Sequence, residues 1–120
     1  MPKYMILLHD SPDALANVSP EQMQGVLQKF MAWTEKLQAS GAMLAGEKLA
    51  DEPGKVMRGK PGAIRVTDGP YSEAKEVMGG YYIVKTDSYD KAIEIARGCP
   101  QFEFGGAVEV RQIDDFGQGD

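Results

Sequence analysis

The chain has 120 residues, of which 42% are hydrophobic and 26% charged, and its formal net charge at pH 7 is −5. This length allows one domain, and this composition excludes a disordered or fibrous chain. The acidic balance disfavours nucleic acid as a partner, because a phosphate backbone repels such a surface unless basic residues cluster on one face.

Cysteine use and hydropathy predict a cytoplasmic protein without membrane association. The single cysteine, Cys99, cannot form an internal disulfide, which suits a reducing compartment. The apolar run near the start, Met5–Leu8, is too short for a signal-peptide core or a membrane span.

The first predicted elements are a strand and a long helix. Residues 4–8 are apolar on both alternating faces, as expected of a strand covered on both sides, and turn-forming residues 9–13 follow it. Ser19 and Gln22 form a capping-box pattern, and Gly41 is a natural helix stop. These signals predict a helix over residues 20–40. Its core-facing stripe comprises Met23, Val26, Leu27, Phe30, Thr34 and Leu37.

The rest of the chain reads as five further strands and one helix. The predicted strands cover residues 42–48, 55–58, 63–67, 80–84 and 107–113, with the second and third joined as a hairpin through 59–62. The second helix is capped by Asp87 or Ser88 and ends near Gly98.

This element order predicts an α+β fold of the ferredoxin-like, split βαβ type, with an antiparallel sheet and an inserted hairpin. We expect residues 1–113 to form the single domain and the polar, Gly-rich residues 114–120 to form a flexible tail. Two helices cover only one face of such a sheet, yet the strands are apolar on both faces. We therefore expect a homodimer with the second faces packed together.

The segment over residues 68–82 is the most unusual stretch, because it places charged side chains and a tyrosine in a loop before a strongly apolar strand. Asp68, Glu73 and Glu76 are candidate proton acceptors, hydrogen-bond acceptors or ligands of a hard metal ion. Lys75 is a candidate anion-binding residue or a partner of the neighbouring carboxylates. Gly79–Gly80 allows close approach of a backbone or a ligand. A second interpretation stays open, because Asp-Gly-Pro is a strong turn former and such a charged cluster is commonly a solvated surface.

The pattern DGPYSEAKE at residues 68–76 and GGYY at 79–82 resembles the signature of the YCII-related family, in its DGPF-type branch. The opening KYMILL and the closing GGAVEVR are also similar, and Tyr71 stands where phenylalanine is usual. The resemblance implies a dimeric α+β barrel. It also implies that extracytoplasmic-function sigma factors are possible partners and that enzymes acting on aromatic compounds are distant relatives.

The resemblance does not assign a catalytic pair of residues to this chain. Other family members have a proposed His–Asp pair with the histidine on the first helix, which here contains none. The one histidine, His9, follows the first strand beside Asp10. Imidazole is a common general base, but neighbouring residues of a strand point to opposite sides, so a packing or surface role is the alternative.

Two functional hypotheses and a structural alternative follow. In the first, a small polar or aromatic molecule binds in a cleft at the Asp-Gly-Pro motif, with lyase or isomerase-type acid–base chemistry. Its catalytic candidates are Asp68, Glu73 and His9, and its ligand-binding candidates are Lys75, Glu76, Tyr71 and Arg65. In the second, the chain is a non-enzymatic accessory protein that binds a partner such as a sigma factor. In the structural alternative, the domain only dimerises and the motif is a folding element. We find no zinc-ligand cluster and no dinucleotide fingerprint, so no metal site is predicted and the cofactor is unknown.

Overall fold

The chain forms one four-stranded sheet, one separate hairpin and helices within residues 1–69 and 76–116, which the computed structural model describes. The strands are β1 (Lys3–Asp10), β2 (Met43–Lys48), β3 (Lys55–Lys60), β4 (Ala63–Asp68), β5 (Val77–Lys85) and β6 (Ala107–Gln112). The helices are α1 (Pro12–Leu15), α2 (Pro20–Ser40) and α3 (Tyr89–Arg97), and a 3-10 helix covers Pro100–Phe104.

The main sheet has the order β2-β5-β1-β6 with antiparallel neighbours, while β3 pairs only with β4 among the described strands. With the hairpin set aside, this is the strand order of the split βαβ pattern. The predicted ferredoxin-like α+β fold with an inserted hairpin is therefore confirmed.

Local capping fixes the long helix. The Gln22 backbone N–H donates to Ser19 Oγ at 3.1 Å, and the Ser19 backbone N–H donates to Gln22 Oε1 at 2.8 Å. Gly41 ends the helix with φ of 80°, a left-handed conformation that glycine adopts without strain. The predicted bounds of this helix are confirmed. No helix in the described part of the chain is long and apolar enough to cross a bilayer.

The core lies between one face of the main sheet and the two longer helices. Tyr4, Ile6 and Leu8 of β1 point into it and are buried. Trp33 of α2 is also buried and meets the Tyr82 ring edge-on, with ring centroids 4.8 Å apart. The core is completed by Leu37, Val84, Ala92, Ala96 and Cys99.

The opposite face of the main sheet carries a second apolar set, which we call the outer face: Met5, Leu7, Tyr81 and Ile83. The strand register places Met5 beside Ile83 and Leu7 beside Tyr81, and all four side chains are partly exposed. The prediction that the two central strands, β1 and β5, are apolar on both faces is thus confirmed. Coverage of this face by a second copy stays a prediction.

Two short helical segments and several strand ends differ from the sequence prediction. The first strand continues to Asp10, where a turn was expected, because His9 and Asp10 pair with Met78 and Val77 of β5. Ser11 then caps the short helix α1 through its Oγ. The hairpin strands extend through Lys60 and Asp68. The 3-10 helix after Cys99 was not predicted either.

Candidate functional site

A cavity of about 250 Å³ lies between the main sheet and α2. From α2 it is lined by most of the predicted apolar stripe, namely Met23, Val26, Leu27, Phe30 and Thr34. The strands contribute Leu8, Asp10, Met43, Gly46, Glu47, Lys48, Gly79 and Tyr82, and the 3-10 helix contributes Gln101 and Phe104. The stripe therefore packs on the sheet at one end of the helix and lines the cavity at the other.

Asp10 brings a carboxylate into this cavity, and Gln101 holds it in place. The Gln101 side-chain amide donates to Asp10 Oδ1 at 2.7 Å and to the His9 carbonyl at 2.9 Å. Gln101 is only 2% exposed, so its position is set by the surrounding protein. Hydrogen bonds to a charged group are stronger than those between neutral groups. The carboxylate is thereby oriented before any ligand arrives.

Two glycines make room for this pair. A Cβ on Gly79 would overlap the Asp10 carboxylate, and a Cβ on Gly106 would lie 2.6 Å from Gln101 Nε2. A Cβ on the neighbouring Gly80 would lie 2.8 Å from the Glu47 carbonyl oxygen. The predicted close approach at Gly79–Gly80 is therefore confirmed, and its physical reason at Gly79 is the Asp10 side chain.

A pair of hydroxyl groups provides the second polar feature of the cavity. Thr34 Oγ1 and Tyr82 Oη are 2.7 Å apart. Burial raises the pKa of the Tyr82 phenol, and the hydrogen bond with Thr34 acts in the opposite direction. The phenol therefore stays protonated at neutral pH, and it can donate or accept a hydrogen bond.

The single cysteine does not serve as a nucleophile near neutral pH. Cys99 is buried in the core, and burial raises its thiol pKa to about 11. A thiol reacts as its thiolate, so this side chain behaves as a small hydrophobic residue. Among the described residues, no group of three or more His, Cys, Asp or Glu side chains is arranged to hold a metal ion.

Comparison with known proteins identifies the family. The profile of the YCII-related domain matches residues 2–117. The chain belongs to the YCII-related family. A curated relative, an uncharacterised protein of Rhizobium meliloti (strain 1021), is 26% identical over 112 residues, which cover 92% of this chain and 90% of the relative.

A solved structure supports the fold of this YCII-related domain. It is the 5-chloro-2-hydroxyhydroquinone dehydrochlorinase TftG of Burkholderia phenoliruptrix, in complex with 2,5-dihydroxybenzoquinone. The similarity has a TM-score of 0.56 at 17% identity and covers 93% of each chain. At this identity the similarity shows a shared fold.

The site residues predicted from sequence are spread over this YCII-related domain. His9 lies on the other side of the main sheet from Asp10, where its Nε2 is 3.0 Å from Glu109 Oε1. Asp68 forms an exposed ion pair with Lys55 at the base of the hairpin. Glu76 and Arg65 are exposed. Tyr71, Glu73 and Lys75 lie outside the described residues.

The structure brings together a different set, which sequence reasoning did not select. Asp10 was interpreted as a turn residue, although its even spacing from Ile6 and Leu8 would have placed it on the buried face of an extended β1. Thr34 was assigned to the core stripe. Gln101 gives no local signal, because only the tertiary fold brings it 2.7 Å from a carboxylate 91 residues earlier in the chain.

Proposed function

We propose that this YCII-related domain binds a small aromatic molecule with polar substituents in the cavity between the main sheet and α2, and that Asp10 exchanges a proton with it. The observation that carries this proposal is the Asp10 carboxylate, held by the buried Gln101 amide in a cavity with largely apolar walls. A pre-oriented carboxylate in apolar surroundings is a common form of general base.

The cavity size favours a single ring. An apolar cavity of about 150 Å³ is enough for benzene, so about 250 Å³ accommodates one ring with small substituents. The aromatic side chains Phe30, Tyr82 and Phe104 supply apolar contact area for such a ring. The Thr34–Tyr82 pair can hydrogen-bond a phenolic or carbonyl oxygen on it.

The chemistry that this arrangement suits is of the lyase or isomerase type. Asp10 takes a proton from a ligand carbon or hydroxyl while the Tyr82–Thr34 pair stabilises negative charge on a ligand oxygen. In an elimination, the released electron pair forms a new double bond and a leaving group departs with its own bonding pair. In an isomerisation, the proton returns at another atom. TftG, whose name states a dehydrochlorinase and whose structure contains a dihydroxybenzoquinone, supports this class through a similar fold.

The proposal is tested by adding 2,5-dihydroxybenzoquinone or simple dihydroxybenzenes to the protein. Binding is measured by thermal shift and by calorimetric titration. A ligand at about a hundred times its dissociation constant adds roughly 2.7 kcal/mol to the free energy of unfolding, which raises the melting temperature by several degrees. We expect this rise in the wild type, its loss in Asp10→Asn, and its retention in the exposed control Asp90→Asn.

The Asp-Gly-Pro motif is tested in the same experiment. Because the Asp68–Lys55 pair is exposed, Asp68→Asn should leave stability within about 0.5 kcal/mol. Loss of binding in a folded Asp68→Asn variant would place the motif in the site, as the sequence suggested. Binding that survives Asp10→Asn would contradict the assigned role of Asp10. A flat response by the wild type would favour a partner-binding function instead.

A further inference from the structure

The β3–β4 hairpin has one apolar face that is exposed. The strand register places Met57 opposite Val66 and Gly59 opposite Ile64, so these side chains lie on the same face. Met57 is 64% exposed, Ile64 53% and Val66 58%. We call these three residues the arm face. Three aligned, exposed apolar side chains on one short ribbon favour a covering partner.

The opposite face of the hairpin is basic. Arg58 lies opposite Arg65, and Lys60 is the next cationic residue on that face. From Lys55 to Asp68 the hairpin carries four cationic side chains and one carboxylate, a net charge of +3. Because the whole chain carries −5, the remainder carries −8. The hairpin and the rest of the chain are therefore oppositely charged.

The hairpin packs little against the rest of the chain, since β3 and β4 pair only with each other among the described strands. The radius of gyration is 16.3 Å, whereas a compact domain of this length has a value of about 14 Å. The molecule measures 45 × 43 × 19 Å, and the short dimension is about that of one sheet and one helix layer. A two-stranded hairpin is marginally stable alone in water. Contact with another surface would stabilise this one.

We propose that the hairpin is an arm whose arm face, Met57, Ile64 and Val66, docks on a second copy of this chain. Three side chains cover only a small part of the roughly 800 Å² per partner that a stable interface buries. The arm must therefore supplement a larger contact. The outer face of the main sheet offers that contact in a second copy, and twofold symmetry then supplies two arms.

Charge complementarity supports a second copy as the partner. The parts of two copies that lie outside the hairpin each carry −8 and repel one another. A hairpin that carries +3 offsets this repulsion where it contacts the other copy. The basic and apolar faces of the ribbon are about 10 Å apart, slightly more than the screening length of about 8 Å at physiological salt. Attraction between the basic face and an acidic surface under the arm face is therefore weak at physiological salt, and the apolar contact must supply most of the binding.

Sedimentation equilibrium of the full chain tests the arm, with Met57→Ser/Val66→Ser as the variant. We expect the wild type to dimerise and the variant to have a dissociation constant raised about tenfold or more. Ala63→Ser/Thr67→Ser, on the opposite face of the same hairpin, should match the wild type. Circular dichroism checks that each variant is folded.

Hydrogen exchange over residues 55–68 provides the second measurement. We expect slower exchange at concentrations where the dimer forms than after dilution to monomer. A wild type that is monomeric throughout, or an arm variant with an unchanged dissociation constant, would overturn the proposal. Protection that appears only on adding anionic lipid vesicles would also overturn it, and would assign the arm to a membrane surface. None of these outcomes depends on the ligand proposed for the cavity.

Discussion

At the scale of single residues, the buried amide of Gln101 has the largest expected effect on the candidate site. It joins the 3-10 helix to the end of β1 through two hydrogen bonds, one to the His9 carbonyl and one to the Asp10 carboxylate. A buried polar group that loses its partner retains the desolvation penalty. The amide is therefore important both for stability and for the orientation of Asp10.

We predict that Gln101→Met, which keeps the volume and removes the donor, lowers the free energy of unfolding by about 2–3 kcal/mol, because a hydrogen bond to a charged group is lost. The same substitution at Gln28, which is exposed on α2, should change it by less than about 0.5 kcal/mol. Urea denaturation of the three proteins measures both values. If Gln101→Met is as stable as the wild type, the amide contributes no net stabilisation.

At the scale of elements, α2 contains a glycine, Gly25, that lowers the stability of the helix and can be replaced. Gly25 lies in the interior of the helix, its φ is ordinary for a helix, and a Cβ there would have no atom within 4 Å outside the surrounding helix backbone. Glycine in a helix interior destabilises by roughly 0.5–1 kcal/mol relative to alanine, because it loses more conformational freedom on folding.

Gly25→Ala should therefore stabilise the protein by about 0.5–1 kcal/mol, measured as a higher midpoint of urea denaturation with an unchanged slope. Gly79→Ala is the contrasting variant, since its Cβ would overlap the Asp10 carboxylate. It should destabilise the chain or displace Asp10. A loss of stability in Gly25→Ala would mean that this position packs against something in solution.

The same elements show which features the sequence could predict. The bounds of α2 follow from contacts within a few residues, the Ser19–Gln22 capping box and the Gly41 stop, so local reasoning was sufficient. The strand order follows from the alternation of helices and apolar strands. Asp10 and Gln101 could not be paired in this way. Their contact joins residues 91 apart in sequence, and neither residue type signals burial by itself.

At the scale of the whole molecule, the outer face of the main sheet is the feature that the single chain leaves unexplained. Met5, Leu7, Tyr81 and Ile83 form neighbouring apolar pairs on the two central strands, with Glu109 opposite Leu7 on the adjacent strand β6. An apolar sheet face in contact with water is unfavourable. Fully burying an exposed side chain of this kind contributes roughly 1.5–3 kcal/mol, and these partly exposed side chains would each contribute a part of that. A second copy placed face to face removes this surface from water on both chains at once.

We predict that Leu7→Lys, at the centre of this face, converts a homodimer into a folded monomer. A twofold interface would bury the new ammonium group twice, and desolvation costs several kcal/mol per ion. Ala39→Lys, exposed on α2, adds the same charge elsewhere and should leave the dimer intact. Sedimentation velocity at micromolar concentration distinguishes the two states.

The result also separates the outer-face contact from the hairpin arm, because the arm variant should only weaken a dimer that Leu7→Lys abolishes. If Leu7→Lys still dimerises with wild-type affinity, the outer face does not form the interface, and the hairpin would have to act with another surface of the chain.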